Sequence, residues 1–337
     1  QRKEASSVYF GGGTPTKLNE DQIKKILDTI IKCFNLAPDY ELCFEARPGK
    51  ETYLDKLALL KEYGIKRLSF GVQSLDEEVL KINGRNHDAE SFYEAFECAR
   101  KVGISSINTD IMSGMVNCSM EKWLYTIDKI NELHPENIAV YKLELYLNNQ
   151  LYKRLRNGEI SLISDEEEAE QVKVGFKRLM DNGYIPVTNF SFASDMKYNH
   201  VHRKKLWEGE DMLGIGASSH SCYDNFLFQN ELSTAKYMQK VNSGESPIFR
   251  AYYYSKREKM IQRMVFGIKG MIFPRKRFEY EFGVDSMDVF KEELIELEEK
   301  GFIEIYDDVI KTTFEGMIYA DDVVRIFYLD HQKKAYL

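Results

Sequence analysis

The 337-residue sequence is short of cysteine, basic charge and long apolar runs, and each shortage excludes a class of protein. Its five cysteines (Cys33, Cys43, Cys98, Cys118 and Cys222) are odd in number and widely spaced, as reduced thiols are and a disulfide framework is not. No CxxC or CxxxCxxC occurs, so no compact cysteine motif for a metal is present. No run approaches the ~20 apolar residues of a membrane span and no signal peptide is evident, so we expect a cytoplasmic protein without a membrane span.

Acidic residues outnumber basic ones, 54 Asp and Glu against 46 Lys and Arg, which gives a formal net charge of -8. Broad nucleic-acid binding needs a basic surface, so we predict no nucleic-acid partner. The hydrophobic share of 43% is enough for a large core in a chain of about two domains.

Short β-branched or aromatic runs alternate with amphipathic segments through the first 190 residues, which predicts an α/β fold with a parallel sheet. The sheet is either open and doubly wound or a TIM-like barrel, and in both cases functional groups lie at the carboxyl ends of the strands. Asn19 and Gln22 form a capping box at the first helix, and Gly64, Gly103 and Gly183 stand where helices end. The predicted strands are 8–10, 40–46, 66–72, 106–112, 137–145 and 184–192, and the predicted helices are 19–35, 52–63, 75–82, 89–102, 119–133 and 166–182.

The pattern changes after residue 193, which predicts further parts. An irregular stretch follows, with one more strand and turn predicted in 212–221. Beyond 254, three helical segments and a hairpin across Asp307 and Asp308 indicate a small α+β, winged-helix-like domain. Because the chain is acidic, we interpret this domain as a packing module without a role in nucleic-acid binding. We therefore expect a core domain over 1–195, a connecting region near the substrate over 196–253 and a C-terminal domain over 254–337. In the C-terminal domain, we predict helices over 257–268, 286–300 and 314–329 and a hairpin over 302–313.

Three consecutive glycines, Gly11, Gly12 and Gly13, end the first predicted strand and precede Thr14 and Pro15. Glycine loses more backbone entropy on folding than any other residue, so three together favour close approach of a ligand to the backbone over a simple turn. The stretch matches neither the GxGxxG dinucleotide fingerprint nor a P-loop, because it lacks the required glycine spacing and lysine.

Polar residues also end the following strands. Glu45 interrupts an apolar run, and because an isolated buried charge is costly, either a ligand ammonium or Arg47 must pair with it. Gln73 can bind ribose hydroxyls or cap the next helix, and Asp110 can accept from a ribose diol. Arg85 can bind a carboxylate through two parallel hydrogen bonds. Together these groups fit an amino-acid nucleoside.

The motifs VYFGGGTPT, FEARPG, RLSFGVQSLDEEVLKINGRNH, SINTDIMSG, VTNF and LGIGASSHS occur in an order and spacing that resemble the radical S-adenosylmethionine (SAM) enzymes. The likeness covers nearly the whole chain. It is strongest to the group of oxygen-independent coproporphyrinogen III oxidase, the related heme chaperone and the class C radical SAM methyltransferases.

The resemblance implies a partial (β/α)6 barrel and a [4Fe-4S] cluster that cleaves SAM to a 5′-deoxyadenosyl radical. It also implies a flat or aromatic small-molecule substrate, a reductant such as flavodoxin or ferredoxin, and heme as a further candidate ligand. Carried over by motif, the SAM-binding residues are Gly11, Gly12, Gly13 and Thr14 in the glycine loop, Glu45 near the methionine amine, Arg85 on the carboxylate, and Gln73 and Asp110 on the ribose.

Three motifs depart from the family pattern. The family's CxxxCxxC belongs on the loop after a strand that precedes GGGTP, so we expect the first barrel strand and the cluster cysteines upstream of Gln1 and assign no metal ligand in this chain. His202 and Trp207 match only the first and last residues of the heme chaperone's HNxxYW, which makes them candidate heme or substrate residues; the alternative is an ordinary surface histidine. The stretch IMSGMVNCS differs from the usual LIYGLPGQT, which predicts a divergent substrate.

These motifs are specific for the group and not for one member. An oxidase-like reaction, a methyl transfer that uses two SAM molecules, a heme chaperone and a scaffold without a cluster all remain open from the sequence.

Overall fold

Two compact units make up the chain, Gln1–His202 and Arg203–Leu337. The computed structural model describes residues 3–49, 54–147 and 149–335. Each unit is built around its own sheet or sheets.

The first unit is a curled half-barrel sheet of seven strands, in the order β1-β2-β3-β4-β5-β7-β6. The five strands β1 to β5 are parallel, as the sequence predicts. The strands are β1 (Glu4–Phe10), β2 (Asn35–Ala46), β3 (Arg67–Gln73), β4 (Ser106–Ser113), β5 (Asn137–Lys142), β6 (Ile185–Thr188) and β7 (Ser191–Ala193).

Helices follow the strands, and local signals in the sequence set several of their ends. The capping box at Asn19 is present, and Gly103 closes a helix with a left-handed φ of 80° that favours glycine. The helices are α1 (Glu20–Cys33), α2 (Leu54–Glu62), α3 (Glu77–Ile82), α4 (Ala89–Val102), α5 (Met120–Leu133), α6 (Gln150–Arg156) and α7 (Asp165–Asp181).

The prediction of one strand over 184–192 is wrong. The segment folds back on itself as the hairpin β6–β7, and β7 pairs antiparallel with β5. Thr188 and Asn189 interrupt the apolar run, and the Thr188 hydroxyl accepts from the amide of Phe190 at 3.4 Å. Such a bond from a threonine to its own backbone favours a turn over a continuous strand.

The stretch after α8 (Val201–Trp207) contains more regular structure than the sequence predicts. Strands β8 (His220–Tyr223), β9 (Phe226–Asn230) and β10 (Ile248–Tyr253) form an antiparallel sheet, with α9 (Thr234–Asn242) between the last two. The strand predicted from 212 begins only at His220. Residues before it form a loop in which Asn230 donates to the carbonyls of Gly214 and Gly216, and a Cβ on Gly214 would lie 2.2 Å from the His220 carbonyl oxygen.

Residues 256–335 contain several helices and a three-stranded sheet, the kinds of element predicted for this region. The three-stranded sheet has the order β11-β13-β12, and its hairpin turns at Asp307 and Asp308 as predicted. The elements are α10 (Lys256–Lys269), β11 (Ile272–Pro274), α11 (Arg275–Phe282), α12 (Ser286–Val289), α13 (Lys291–Glu299), β12 (Ile303–Ile305), β13 (Val309–Thr312), α14 (Phe314–Ile318), α15 (Ala320–Arg325) and α16 (Asp330–Ala335).

Two helices predicted as continuous, 286–300 and 314–329, are broken at Phe290 and Tyr319, whose backbones leave the helical region. Phe290 is fully buried in the core of this domain, so packing overrides the helical pattern there. Among the helices of the described residues, none has the length and apolar character needed to cross a membrane.

Candidate functional site

One face of the half-barrel sheet is polar and the other is apolar. Side chains alternate along each strand, and the register places Glu45 beside Ser69 and Ser69 beside Asn108 on neighbouring parallel strands. The opposite side chains, among them Phe44, Leu68 and Ile107, are fully buried. We call the first set the polar face; its members are Ser7, Tyr9, Glu41, Cys43, Glu45, Ser69, Asn108 and Asp110.

The glycine loop lies at the end of β1 beside this face. A Cβ on Gly11 would lie 2.5 Å from Cε1 of Tyr9 and 3.0 Å from Oε1 of Glu45, so packing alone requires glycine there. Gly12 has a φ of +95°, which favours glycine for its backbone conformation. A Cβ on Gly12 or Gly13 would meet nothing within 4 Å, so there is space beside these residues for a ligand.

The loop continues from Thr14 into a single 3-10 turn over Pro15–Lys17. The amide of Lys17 donates to the Thr14 carbonyl at 2.9 Å, and the buried ammonium of Lys56 donates to the Thr16 carbonyl at 2.6 Å. The α2 helix thereby holds the loop by its backbone.

Glu45 accepts a hydrogen bond from the hydroxyl of Tyr9, a partner that the sequence did not predict. Burial and the nearby Glu45 carboxylate raise the pKa of Tyr9, so its hydroxyl remains protonated and donates. A carboxylate has about four acceptor positions, so Glu45 retains capacity for a ligand ammonium.

Asp110 is fixed by two polar neighbours on the same face. The side-chain amide of Asn108 donates to Oδ1 at 2.8 Å and the hydroxyl of Ser69 donates to Oδ2 at 3.3 Å, while Asn108 also donates to Ser69 at 2.8 Å. These bonds orient the carboxylate and leave lone pairs for a hydroxyl pair.

Gln73 combines an unusual backbone conformation with a buried side-chain oxygen. Its φ is +69°, which is uncommon for a residue other than glycine, and the sheet register shifts beside it. Its buried Oε1 has no hydrogen-bond partner among the described residues. The alternative role of capping the next helix belongs to Asp76, which accepts from the amide of Val79 at 2.9 Å.

Arg85 reaches β4 from the turn after α3. Its Nη2 lies 3.8 Å from the sulfur of Met112, which is two residues beyond Asp110 on the same face. Burial lowers the pKa of Arg85, and its Nε has no hydrogen-bond partner among the described residues. A half-buried guanidinium with an unused donor fits a ligand carboxylate.

His87 lies near Arg85 and Arg47. Its Nε2 lies 2.9 Å from the Val72 carbonyl, to which it donates, and burial together with the two arginine charges lowers its pKa. The imidazole is therefore neutral and carries its proton on Nε2.

The two candidate heme residues lie in different units. The His202 ring stacks on Tyr9 with 5.0 Å between centroids and 16° between planes, and its Nδ1 lies 3.2 Å from the Ser7 hydroxyl. Trp207, in the second unit, packs edge-on against Phe266, and its buried Nε1 has no hydrogen-bond partner among the described residues. His202 thus joins the polar face.

Tyr9, Ser69 and Asn108 are site residues that sequence reasoning missed. A tyrosine in an apolar strand is usually a core residue, and small polar residues in strands are common. The sequence did carry one signal, because polar side chains an even number of residues apart lie on the same face of a strand. Ser7 and Tyr9 in β1 have this spacing, as do Glu41 and Glu45 in β2.

The chain is similar in sequence and fold to several known proteins. Residues 1–130 match the family model described as the Radical SAM superfamily. The chain is 27% identical over 328 residues to Heme chaperone HemW of Bacillus subtilis, covering 96% of this chain and 86% of the relative. It is 26% identical over 351 residues to oxygen-independent coproporphyrinogen III oxidase of Salmonella typhimurium, and the match covers 99% of this chain and 76% of that relative. The solved structure of coproporphyrinogen III oxidase (HemN) from Escherichia coli shows the same fold, with a TM-score of 0.82, 23% identity and coverage of 96% of this chain and 78% of that one.

The radical SAM family implies SAM and a [4Fe-4S] cluster, and the site residues fit the first of these. Within the part of the chain that the structure describes, Oε1 of Gln73 and Nε of Arg85 have no hydrogen-bond partner, and there is open space beside Gly12 and Gly13. These features are complementary to an amino-acid nucleoside.

The described residues do not fit the cluster, because nowhere in 3–49, 54–147 and 149–335 do three His, Cys, Asp or Glu side chains come together to hold a metal. Cys33 is exposed at the end of α1, whereas Cys43, Cys118 and Cys222 are buried at separate places. The matching domain over residues 1–130, the relatives and the fold together support a HemN/HemW-like radical SAM protein.

Proposed function

We propose that the chain binds SAM at the carboxyl end of its polar face and is a radical SAM enzyme acting on a tetrapyrrole, in the manner of an oxygen-independent coproporphyrinogen oxidase. The observation that carries the proposal is the combination of Glu45, Asp110 and Arg85. These are an anion on β2, an oriented acceptor on β4 and a half-buried cation against β4, and the two strands flank β3 in one sheet.

The methionine end of SAM lies beside the glycine loop in this proposal. Glu45 binds the ammonium with the acceptor capacity that Tyr9 leaves, and Arg85 binds the carboxylate through its unused donor. The backbone of Gly12, Gly13 and Thr14 lies against the ligand because no side chain fills the adjoining space.

The nucleoside end lies along β3 and β4. Asp110, held by Asn108 and Ser69, accepts from the ribose diol, and Gln73 accepts through its unpartnered Oε1. When bound, SAM would supply a 5′-deoxyadenosyl radical for removal of a hydrogen atom from the substrate, as the family resemblance implies. The residues of this chain bind and orient the cofactor for that reaction.

A flat tetrapyrrole is the proposed substrate class because the relatives are named for coproporphyrinogen and heme. The proposal includes a cytoplasmic location, a flavodoxin or ferredoxin as electron donor, and no nucleic-acid partner. It also assigns substrate contacts to the connecting region 196–253, between a core domain over 1–195 and a C-terminal domain over 254–337.

A heme chaperone is the second candidate, and His202 carries it. The residue matches the first position of the chaperone's motif and lies on the polar face next to the proposed SAM site. In this candidate function, SAM and heme bind without turnover.

The deciding experiment uses protein expressed from the complete coding sequence, reconstituted anaerobically with iron and sulfide and supplied with reductant, SAM and coproporphyrinogen III. Formation of 5′-deoxyadenosine alone, with loss of carboxyl groups from the porphyrinogen, is the expected result. Additional S-adenosylhomocysteine would instead indicate the class C methyltransferase. Absence of both products, with stoichiometric heme binding that His202→Ala abolishes, would establish the chaperone.

A further inference from the structure

We propose that Tyr9 is a positioning residue of the SAM site, which holds the Glu45 carboxylate in its ionised, ligand-ready orientation and is itself held by His202. The inference rests on the proposed function, because it takes Glu45 to be the group that binds the SAM ammonium.

The Tyr9 side chain is fixed at its hydroxyl and on its ring. The hydroxyl donates to Oε1 of Glu45, and the ring stacks on His202 at 5.0 Å. The His200 ring lies 5.6 Å away at a tilt of 38°. On the loop side, only a residue without a Cβ fits at Gly11, since that atom would come within 2.5 Å of the Tyr9 ring.

The segment that carries the two histidines is pinned to the sheet by Glu41. This carboxylate accepts from the backbone amide of His202 at 3.3 Å, and it pairs with Nε2 of His200 at 3.3 Å and Nε of Arg67 at 3.6 Å. The side chains of Glu41 and Arg67 are only 9% and 3% exposed. Arg67 also donates to the Tyr198 carbonyl at 2.5 Å. The stacking partner of Tyr9 is therefore held by buried contacts with β2 and β3.

A hydroxyl that donates to one carboxylate oxygen favours the ionised form of that carboxyl group and fixes the orientation of the carboxylate. The titratable groups that face Tyr9 are Glu45 and Cys43 on β2, Asp110 on β4, and the two histidines. Removal of the Tyr9 hydroxyl takes away the donor that orients the Glu45 carboxylate, so SAM affinity falls at neutral pH. It also takes a hydrogen bond from the ionised form of Glu45, so the loss of affinity on acidification begins at a higher pH.

Equilibrium SAM binding tests this inference, measured by calorimetry on the reconstituted protein from pH 4.5 to 8. Tyr9→Phe keeps the ring and its stacking and deletes only the hydroxyl. We expect about a tenfold weaker SAM affinity at pH 7.5 and an acid limb displaced to higher pH. Tyr63→Phe is the matched control, because the exposed Tyr63 hydroxyl donates to Asp28 at 2.7 Å in the same unit; we expect no change in affinity or profile.

A double-mutant cycle tests the part played by His202. We expect His202→Leu to weaken SAM binding about threefold when Tyr9 is present and not at all in the Tyr9→Phe background, because the ring acts through that hydroxyl. If the effects of the two substitutions on SAM affinity were fully additive, His202 would not act through Tyr9. That result would contradict the proposal that His202 holds Tyr9 in place.

The Glu45→Gln variant distinguishes a failure of the Tyr9 inference from a failure of the proposed SAM site. If Glu45→Gln weakens SAM binding while Tyr9→Phe leaves the affinity and the acid limb of wild type, Tyr9 has no positioning role and the inference is overturned while the proposed site stands. If Glu45→Gln itself binds SAM with wild-type affinity, the proposed site is wrong and the inference falls with it.

Discussion

At the scale of single residues, the proposed site depends on two carboxylates with different neighbours. Glu45 has a tyrosine donor, whereas Asp110 has an amide and a hydroxyl. Asp110→Asn keeps the shape of the side chain and removes the charge, so the ribose diol loses a charged acceptor.

We expect Asp110→Asn to weaken SAM binding by about tenfold, which is the range for one hydrogen bond to a charged group. Calorimetric titration with SAM is the measurement. Asp128→Asn, which removes the same charge from an exposed ion pair with Arg178, is the control and should leave the affinity unchanged. An equal loss in both variants would attribute the effect to net charge instead of the site.

The carboxylates were predictable from sequence and their partners were not. Glu45 interrupts an apolar run, where an unpaired charge is costly, and Asp110 was predicted from its place at the end of a strand. Tyr9 gives no such signal, because a tyrosine is an ordinary strand residue until pairing of β1 with β2 places it beside Glu45. The contact between Tyr9 and His202 joins residues that are far apart in the chain, and no local pattern encodes it.

At the scale of elements, the glycine loop depends on a lysine in the following helix. Lys56 is only 8% exposed, and its ammonium donates to the Thr16 carbonyl. Without Lys56, this carbonyl would lose its buried hydrogen-bond donor. Lys61, on the same helix, also donates to a backbone carbonyl, that of Gly103, but on the surface.

We expect Lys56→Met to lower the free energy of unfolding by about 1–3 kcal/mol and to weaken SAM binding, because the loop loses its anchor. The control Lys61→Met should change stability by less than about 0.5 kcal/mol. Urea denaturation and SAM titration measure the two effects. A stability loss in Lys56→Met with unchanged SAM affinity would separate the anchor from the site.

Element boundaries were predicted where the local sequence decides them. The capping box at Asn19 and the glycine at Gly103 are short-range signals, and both are present. The hairpin β6–β7 and the break at Phe290 depend on long-range packing: β7 needs β5 as its partner, and Phe290 needs the aromatic rings of Phe278 and Phe327. Periodicity in one segment carries no information on either.

At the scale of the whole molecule, the resemblance of ordered motifs predicted the architecture better than any single pattern. Strand and helix periodicity left an open sheet and a barrel as alternatives, and the motifs decided for the half-barrel that is observed. The antiparallel sheet β8–β10 was missed, because its strands are only 4, 5 and 6 residues long and β10 is exposed along its whole length, so no regular alternation marks a buried face.

The C-terminal domain has a core of its own, which includes Phe290, Leu294 and Ile303 and draws every member from residues 260–329. Phe290 is fully buried against Phe327, so Phe290→Ala should cost about 3–5 kcal/mol in that core. Because the chain forms two compact units, we expect faster amide hydrogen exchange confined to Arg203–Leu337 and a SAM affinity within about twofold of wild type.

The reciprocal variant is Phe92→Ala, which opens a fully buried aromatic contact with Phe70 in the first unit. It should accelerate exchange in Gln1–His202 and weaken SAM binding, because the polar face and the glycine loop belong to that unit. Exchange measured by mass spectrometry on both variants decides the question. Faster exchange throughout the chain in Phe290→Ala would show that the two units unfold together, and the SAM site would then depend on the C-terminal core.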